Sequence, residues 1–374
     1  MVQHTILLEF APDLNALHGG KRLTDGLSAA VQIGDALWLA NDESLSLEKL
    51  SRLPDSVERV RFGCHQQVPL SDFLQLPLPP DPDAPDGQKI QEADVEGLAY
   101  HDGYLWLVGS HSLKRKKPDP QATAEKNSNR LTKVTGDGNR YLLARIPWQA
   151  ATQALARTDD HERRSAARLS GTAHGNELTQ ALADDEHIGP FLAIPGKDNG
   201  FDIEGLAVTD DRAFIGLRGP VLRGWAIILE LALEQTEAFT LSLKPIGSSG
   251  RRYRKHFLDL RGLGLRDLCV WGSDLLILAG PPLAQAGPFS VFRWPGGAES
   301  RGGDASTFND DLPVVFDLPV SEREQPEGIT LFSSGAGSDP QLLAVYDSTS
   351  PSRRASANAV KADLFALTGR AGHF

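Results

Sequence analysis

The chain reads as an all-β protein, a β-propeller of five blades with six as the alternative, and three observations predict it. The element Asp94-Val95-Glu96-Gly97-Leu98-Ala99 recurs as Asp202-Ile203-Glu204-Gly205-Leu206-Ala207. It returns in weakened form at Arg266-Asp267-Leu268 and Pro326-Glu327-Gly328, and a fifth copy stands at Asp25-Gly26-Leu27. Each copy leads through a polar turn into a second apolar run, such as Leu105-Trp106-Leu107-Val108 or Ala213-Phe214-Ile215-Gly216-Leu217, the pattern of a hairpin. Each is also preceded by a run of strand length, as in Asp72-Phe73-Leu74-Gln75-Leu76 and His256-Phe257-Leu258-Asp259-Leu260. Four strands in a repeat of about 60 residues is the propeller signature.

In order, the chain opens on the strand Thr5-Ile6-Leu7-Leu8-Glu9-Phe10. With Gly26, Gly97, Gly205, Asp267 and Gly328 as equivalent positions, the intervals are about 71, 108, 62 and 61 residues, and the two ends together supply about 72 more. The N- and C-terminal strands are therefore expected to close the ring in one blade, which removes an exposed sheet edge. The long second interval is rich in Ala, Leu, Arg, Glu and Gln, lacks proline from Gln149 to Asp185, and is broken by Gly171 and Gly175. A helical insertion is expected there, about 147–187, with helices at Pro147–Leu169 and Asn176–Asp184. A sixth blade would be concealed in this interval or in the extra run Thr240-Leu241-Ser242-Leu243-Lys244. Residues 1–374 are expected to form a single domain, because the repeat continues on both sides of the proline-aspartate loop Pro77–Gly87 and the Gly, Asp and Asn loop Ser300–Asp311.

A hydrophobic content of 40% suffices for a core, and the net charge of -11 argues against nucleic acid and against an anionic membrane surface. No apolar run approaches the roughly 20 residues of a membrane span. The N-terminus shows no basic start followed by a long apolar centre, so a cytoplasmic location is expected. Cys64 and Cys269 sit in strand-like runs without metal-site spacing and are expected to be buried free thiols.

In a propeller, inner strands line the central channel, and the loops that enter them share a face with the loops that leave the second strands. The entries are Asp25, Asp94, Glu96, Asp202, Glu204, Arg266, Asp267 and Glu327; the exits are Asn41, Asp42, Glu43, Ser110, His111, Arg218 and Asp347. Carboxylates that converge on one axis raise one another's pKa unless positive charge sits among them. Arginines supply part of it, and calcium, a hard cation that takes six to eight oxygen ligands, would supply the rest. Glu96, Glu204, Asp267 and Glu327 are the candidate metal ligands. His111, Arg218 and Arg266 are the candidate catalytic residues, for charge stabilisation or proton transfer, and Asp42, Lys114 and Asp347 the candidate substrate-binding ones. The competing reading is structural: the Glu-Gly pairs satisfy nearby backbone N–H groups, glycine admits a close backbone approach, and Glu96 or Glu204 pairs with Arg218 or Arg266.

The basic run Lys114-Arg115-Lys116-Lys117 would overhang the mouth, either to attract an anion such as a phosphoester or as a solvated loop tip; Arg251-Arg252-Tyr253-Arg254-Lys255 is a second such cluster. His161, His174 and His187 match no metal spacing and are expected at the surface. No nucleophile elbow, phosphate-binding loop, dinucleotide fingerprint or zinc-protease pair is present.

The two Asp-x-Glu-Gly-Leu-Ala elements, with Arg252-Tyr253-Arg254-Lys255-His256-Phe257 and Gly264-Leu265-Arg266-Asp267-Leu268, resemble the bacterial domain-of-unknown-function family numbered 3616, over nearly the whole chain. That family carries no established activity. The Asp-x-Glu-Gly-Leu-Ala element is also similar to those of phytase-like and esterase-like propeller proteins, which implies calcium and phosphoester hydrolysis. The expectation is a cytoplasmic propeller that acts as a calcium-assisted hydrolase on a phosphoester or ester at an acidic pocket. The alternative is a non-catalytic scaffold for a protein or a small anionic ligand, with no nucleic-acid or membrane partner.

Overall fold

The computed structural model describes residues 2–54, 60–79, 92–210, 212–299, 306–321, 324–335 and 339–367. The protein is all-β and propeller-like, with few helices. Its second strands explain why the sequence shows continuous apolar runs there. Ala36–Ala40, Tyr104–Gly109 and Asp274–Gly280 are buried at every position, as strands covered on both faces must be.

Five successions of antiparallel strands follow the sequence repeats. In the first, Ala29–Ile33, Ala36–Ala40, Ser46–Arg52 and Arg61–Pro69 pair in order. In the second these are Val95–His101, Tyr104–Gly109, Leu143–Gln149 and Ala167–Leu169. The third comprises Asp202–Val208, Ala213–Leu222, Trp225–Glu237 and Tyr253–Asp259, and the fourth Gly264–Trp271, Asp274–Gly280, Ser290–Trp294 and Val314–Asp317. The fifth runs Gln325–Phe332, Gln341–Asp347 and Ala359–Ala366, and its outer strand is the N-terminal Val2–Glu9, antiparallel to Ala359–Ala366.

The first strands of these successions form a closed circuit. Ser28 Oγ donates to the carbonyl of Val95 at 2.6 Å, Gly97 lies against Leu206, Gly205 against Asp267 and Gly328 against Ala29. The Ile329 amide donates to Asp267 Oδ2 at 2.7 Å and joins the fourth to the fifth. Apolar cores fill the spaces between successive sheets. Trp38 and Leu47 meet Leu98 and Leu107, Trp106 and Val108 meet Leu206 and Ile215, Phe214 and Ile228 meet Leu265 and Ile277, Leu276 and Leu278 meet Ile329 and Leu342, and Leu343 and Leu364 meet Leu37 and Phe62.

The structure corrects the expected insertion. No helix spans Pro147–Leu169: the segment is a set of short strands, Ala154–Leu155, Thr158–Asp159, Arg164–Ser165 and Ala167–Leu169. Its alanines and leucines favour helix by composition, but Gln153 and Arg163 take positive φ of 53° and 54°, and Ala167 and Leu169 alternate with exposed-side Arg168 along a strand. Tertiary burial outweighs propensity there. Of the two expected helices only the second forms, six residues long. The helices are α1 (Ala124–Leu131), capped by Thr123 in the basic segment, and α2 (Glu177–Leu182), capped by Asn176.

Thr240–Lys244 does not start a sixth sheet; it pairs with the extension of Trp225–Glu237 and runs parallel to Ala167–Leu169, tying the second succession to the third. The residue equivalent to Gly97 in the first repeat is Ala29, not Gly26, since Ala29 is what Gly328 packs against. Cys64 is exposed, at a positive φ of 51° on the outer strand of the first sheet, while Cys269 is largely enclosed; both are free thiols. The expected loops fall outside the described residues at 80–87 and 300–305.

Candidate functional site

The repeated Glu-Gly pair has a backbone cause. Val95 pairs with Gly109 and Gly97 with Val108, so Glu96 is left over in the ladder. The same skip leaves Glu204 between Ile203 and Gly205, Arg266 between Leu265 and Asp267, and Glu327 between Pro326 and Gly328. A bulged residue has no cross-strand partner, and the bend of its strand re-aims the side chain. The following glycine is demanded by packing between first strands. A Cβ on Gly97 would stand 2.8 Å from Leu206 Cβ, and one on Gly328 would stand 2.9 Å from Ala29 Cα. Four consecutive repeats therefore direct one bulge residue each, Glu96, Glu204, Arg266 and Glu327, toward one mouth. In the first repeat Asp25, expected among the strand entries, instead accepts a hydrogen bond from the Arg22 amide and pairs with Arg354 at 3.0 Å.

Three of these four positions, Glu204, Arg266 and Glu327, are joined directly. Glu204 receives Arg218 Nη1 on Oε1 at 2.6 Å and Arg266 Nη1 on Oε2 at 2.8 Å. Arg266 also reaches Glu327 Oε1 at 3.0 Å and Gln325 Oε1 at 3.3 Å. Arg218 donates through Nε to the carbonyl of Pro282 at 3.1 Å. Burial alone would raise the Glu204 carboxyl, but the charge and hydrogen bonds of the two guanidinium groups outweigh it and hold the group below the ordinary carboxylate range.

Glu96 is in the opposite condition. Among the described residues no hydrogen-bond donor and no cation pairs with it, and its neighbours are Asp94, Glu204, Glu327 and Asp42. Burial first, then those carboxylates, push its carboxyl well above the usual value. Asp42 is raised to about 7 by burial and by Asp94 and Asp347, against the pull of Lys114. Asp202 is raised to about 7 by burial and Glu204, against Arg218. Glu327 is pushed well above its ordinary range by burial and Asp347, although Arg266 opposes this. Asp42, Glu96, Glu327 and Asp347 thus share one electrostatic neighbourhood.

Two supporting groups were not among the expected site residues. Arg140, in the turn Gly138–Arg140, is 2% exposed and places Nη1 2.8 Å from Asp94 Oδ2 and 2.9 Å from Ser112 Oγ. Gln325 shares Arg266 with Glu327. Arg140 comes from an irregular segment with no repeat register, so no periodic signal marks it. Asp94 holds a positive φ of 49°, a conformation that aspartate tolerates better than most residues.

Other expected residues do not join the cluster as free groups. His111 is buried; its Nδ1–H donates to the Gly109 carbonyl at 2.7 Å and its Nε2 accepts from Asn176 Nδ2 at 2.7 Å. Burial lowers it to about 4, so the imidazole is neutral with both nitrogens engaged, and it pins the cap of α2 instead of shuttling protons. Arg218 and Arg266, expected as catalytic, are held by Glu204. Lys114 is paired with Glu92 and lies 3.9 Å from Asp137. The Arg251–Lys255 cluster is consumed in ion pairs: Arg252 with Glu177, Arg254 with Glu230 at 3.0 Å, and Lys255 with Asp185 at 2.6 Å. His187, expected at the surface, is half-buried against Lys255 Nζ at 3.0 Å and the ring of Phe257; His161 and His174 are exposed.

The four expected metal ligands do not fit calcium as a set. Asp267 accepts the amides of Leu268 at 2.8 Å and Ile329 at 2.7 Å and is a strand-to-strand tie, and Glu204 is engaged by two arginines. Among the described residues no group of three or more His, Cys, Asp or Glu side chains is placed to hold a metal ion. No helix of the described residues is long and apolar enough to cross a membrane.

Residues 26–363 match the model of the family described as "Protein of unknown function (DUF3616)". No curated protein matches the chain in sequence. Among solved structures, the chain is similar to the glutaminyl cyclase of Myxococcus xanthus, with 10% identity over 98% of this chain and 96% of that one and a TM-score of 0.36. It is also similar to Hsv2 of Kluyveromyces lactis, with 9% identity over 87% and 66% of the two chains and a TM-score of 0.29.

Proposed function

The chain belongs to the DUF3616 family, and we propose that it is a five-bladed β-propeller whose carboxyl-rich mouth binds a small polar molecule and hydrolyses an ester or phosphoester bond in it. The observation that carries this reading is Glu96: a bulge aims it into a cluster of like charges, with no cation or donor of its own among the described residues. A carboxyl group so placed holds its proton to higher pH than an ordinary glutamate and is therefore suited to act as an acid, and perturbed groups of this kind gather at functional sites.

The step assigned to these residues is a general acid–base hydrolysis. Asp42, which is raised to about 7 and so is substantially ionised at neutral pH, accepts a proton from water. The water oxygen bonds to the acyl carbon or the phosphorus, the bond to the leaving oxygen breaks, and that oxygen takes the proton of Glu96. Each such proton transfer contributes about 10²–10⁴ in rate. Arg218 and Arg266 act through Glu204 and Glu327, holding the far side of the mouth in place. With Glu204 and Asp267 engaged elsewhere, no step is assigned to calcium.

The test is a panel of chromogenic esters and phosphomonoesters at pH 7, in calcium and in chelator, with wild type and Glu96→Gln. A loss of turnover of about 10²-fold or more in the variant supports the reading; equal turnover overturns it. Ligand binding with no turnover of any member would favour the scaffold, a reading to which the closed Glu204–Arg218–Arg266 set lends its weight.

A further inference from the structure

The segment 114–137 is a small ordered arm, tied at its base to the rest of the molecule through Lys114 with Glu92 and through Arg115 with Asp198 at 2.6 Å. Lys114–Arg115 pairs antiparallel with Val134–Thr135 at its base, and the amide of Lys116 donates to the Lys133 carbonyl at 3.0 Å. Its tip is α1, an eight-residue helix with no buried residue. A helix of that length is marginal on its own in water, and none of this one's residues is buried. Hydrogen bonds hold it. Asn127 accepts the Asp119 amide at 2.8 Å and donates to the Asp119 carbonyl at 2.9 Å; Arg130 Nε donates to the Lys117 carbonyl at 2.7 Å. Arg115 Nη1 donates to the Leu131 carbonyl at 2.5 Å.

The ordering produces a cleft of about 500 Å³ lined by Asp119, Gln121, Lys126, Asn129, Arg130 and Lys133. Its three cations form no ion pair with any carboxylate of the described residues, in a chain whose net charge is -11. Asp119, the one acid in the lining, already accepts the Gln121 amide on Oδ1 at 3.0 Å. Arg130 is oriented by its Nε bond, which leaves the terminal nitrogens for a ligand, and the amide side chains of Gln121 and Asn129 add further donors. The volume lies in the range of small-molecule sites, about 300–1,000 Å³. Three cations in one concave site, with no ion pair to a carboxylate of the described residues, are matched by a ligand that carries several negative charges.

We propose that this cleft is a binding site for a small polyvalent anion of the oligophosphate class, held by Lys126, Arg130 and Lys133. The site is distinct from the carboxyl-rich mouth and does not depend on what the mouth does.

Calorimetric titration of the full chain with tripolyphosphate, pyrophosphate and orthophosphate tests it. Affinity should fall in that order, with one site per chain, and should weaken as salt is raised. The triple variant Lys126→Gln, Arg130→Gln, Lys133→Gln should lose about tenfold or more in tripolyphosphate affinity, the effect expected when charge-assisted hydrogen bonds are removed. Lys116→Gln, which removes an exposed charge of the same arm outside the lining, should stay within about twofold of wild type. Because Arg130→Gln also removes the Nε bond to the Lys117 carbonyl, the double variant Lys126→Gln, Lys133→Gln, which keeps that bond, carries the same comparison and should melt with wild type. Unchanged affinity in the lining variants, an equal loss in Lys116→Gln, or no tripolyphosphate binding at millimolar concentration would overturn the proposal.

Discussion

Glu96 and Glu204 occupy the same bulge in consecutive repeats, follow the same Asp-x sequence and precede the same Gly-Leu-Ala, yet their surroundings are opposite. Glu204 has a guanidinium group on each oxygen; Glu96 faces four carboxylates and has no cation partner among the described residues. The difference teaches that the repeated element specifies where a side chain points and leaves open what it meets. Partners arrive from outside the element itself: Arg218 lies on a second strand, Ala213–Leu222, and Arg266 is the bulge residue of the next repeat.

The comparison breaks most visibly by removal of Glu204. Glu204→Gln strips both arginines of their shared charge in the buried interior, and a loss of about 3–5 kcal/mol in urea unfolding is expected. Glu96→Gln should leave stability within about 1 kcal/mol of wild type, since among the described residues no cation or donor pairs with the carboxyl that the amide replaces; its effect should fall on turnover. If the two variants destabilise equally, the contrast between the two positions is wrong.

A smaller effect tests how α2 is fastened to the second repeat. Asn176 accepts the amides of Leu178 and Thr179 at 3.1 Å each and donates to His111, so Asn176→Ala should cost about 1–2 kcal/mol in thermal unfolding. The pH dependence sharpens the comparison further. Asp42 and Asp202, raised to about 7, keep protons in the folded state that the unfolded chain has released. Their contribution is fully present below the ordinary carboxyl range and is lost as pH rises through about 7. Glu204, held low, contributes in the reverse sense and loses its share under acid. The thermal midpoint should therefore be higher at pH 6 than at pH 8, and Asp42→Asn with Asp202→Asn should flatten that slope. The smallest difference is between the two thiols. Exposed Cys64 should react with a thiol reagent in the folded protein, whereas Cys269, whose thiol burial pushes up to about 12, should react chiefly after unfolding.

How much of this was legible beforehand follows from which constraints act locally. Glu-Gly was visible because a bulge followed by a close backbone approach restricts both positions, and continuous apolar runs marked the second strands because both of their faces are covered. The pairing of Glu204 with Arg218 and Arg266 stood among the readings, but nothing in the sequence said that Glu96 would lack such partners. Arg140 was invisible, since it reaches Asp94 from an irregular turn. The hairpins at 154–169 were mistaken for helix because alanine and arginine carry helical propensity wherever they stand, and only the burial of Ala167 and Leu169 against neighbouring strands decides otherwise. His111 looked like a free base at a strand exit; its engagement depends on Asn176, 65 residues away in the chain.

The skipped pairing in four of the first strands has a consequence for how such a molecule changes over time. A residue that takes no part in the ladder is an exchangeable socket, whose occupant can be swapped without disturbing the hydrogen bonds on either side. The chain already fills these sockets with glutamate and arginine, so new chemistry can be installed by rewriting single letters while the surrounding scaffold keeps its shape.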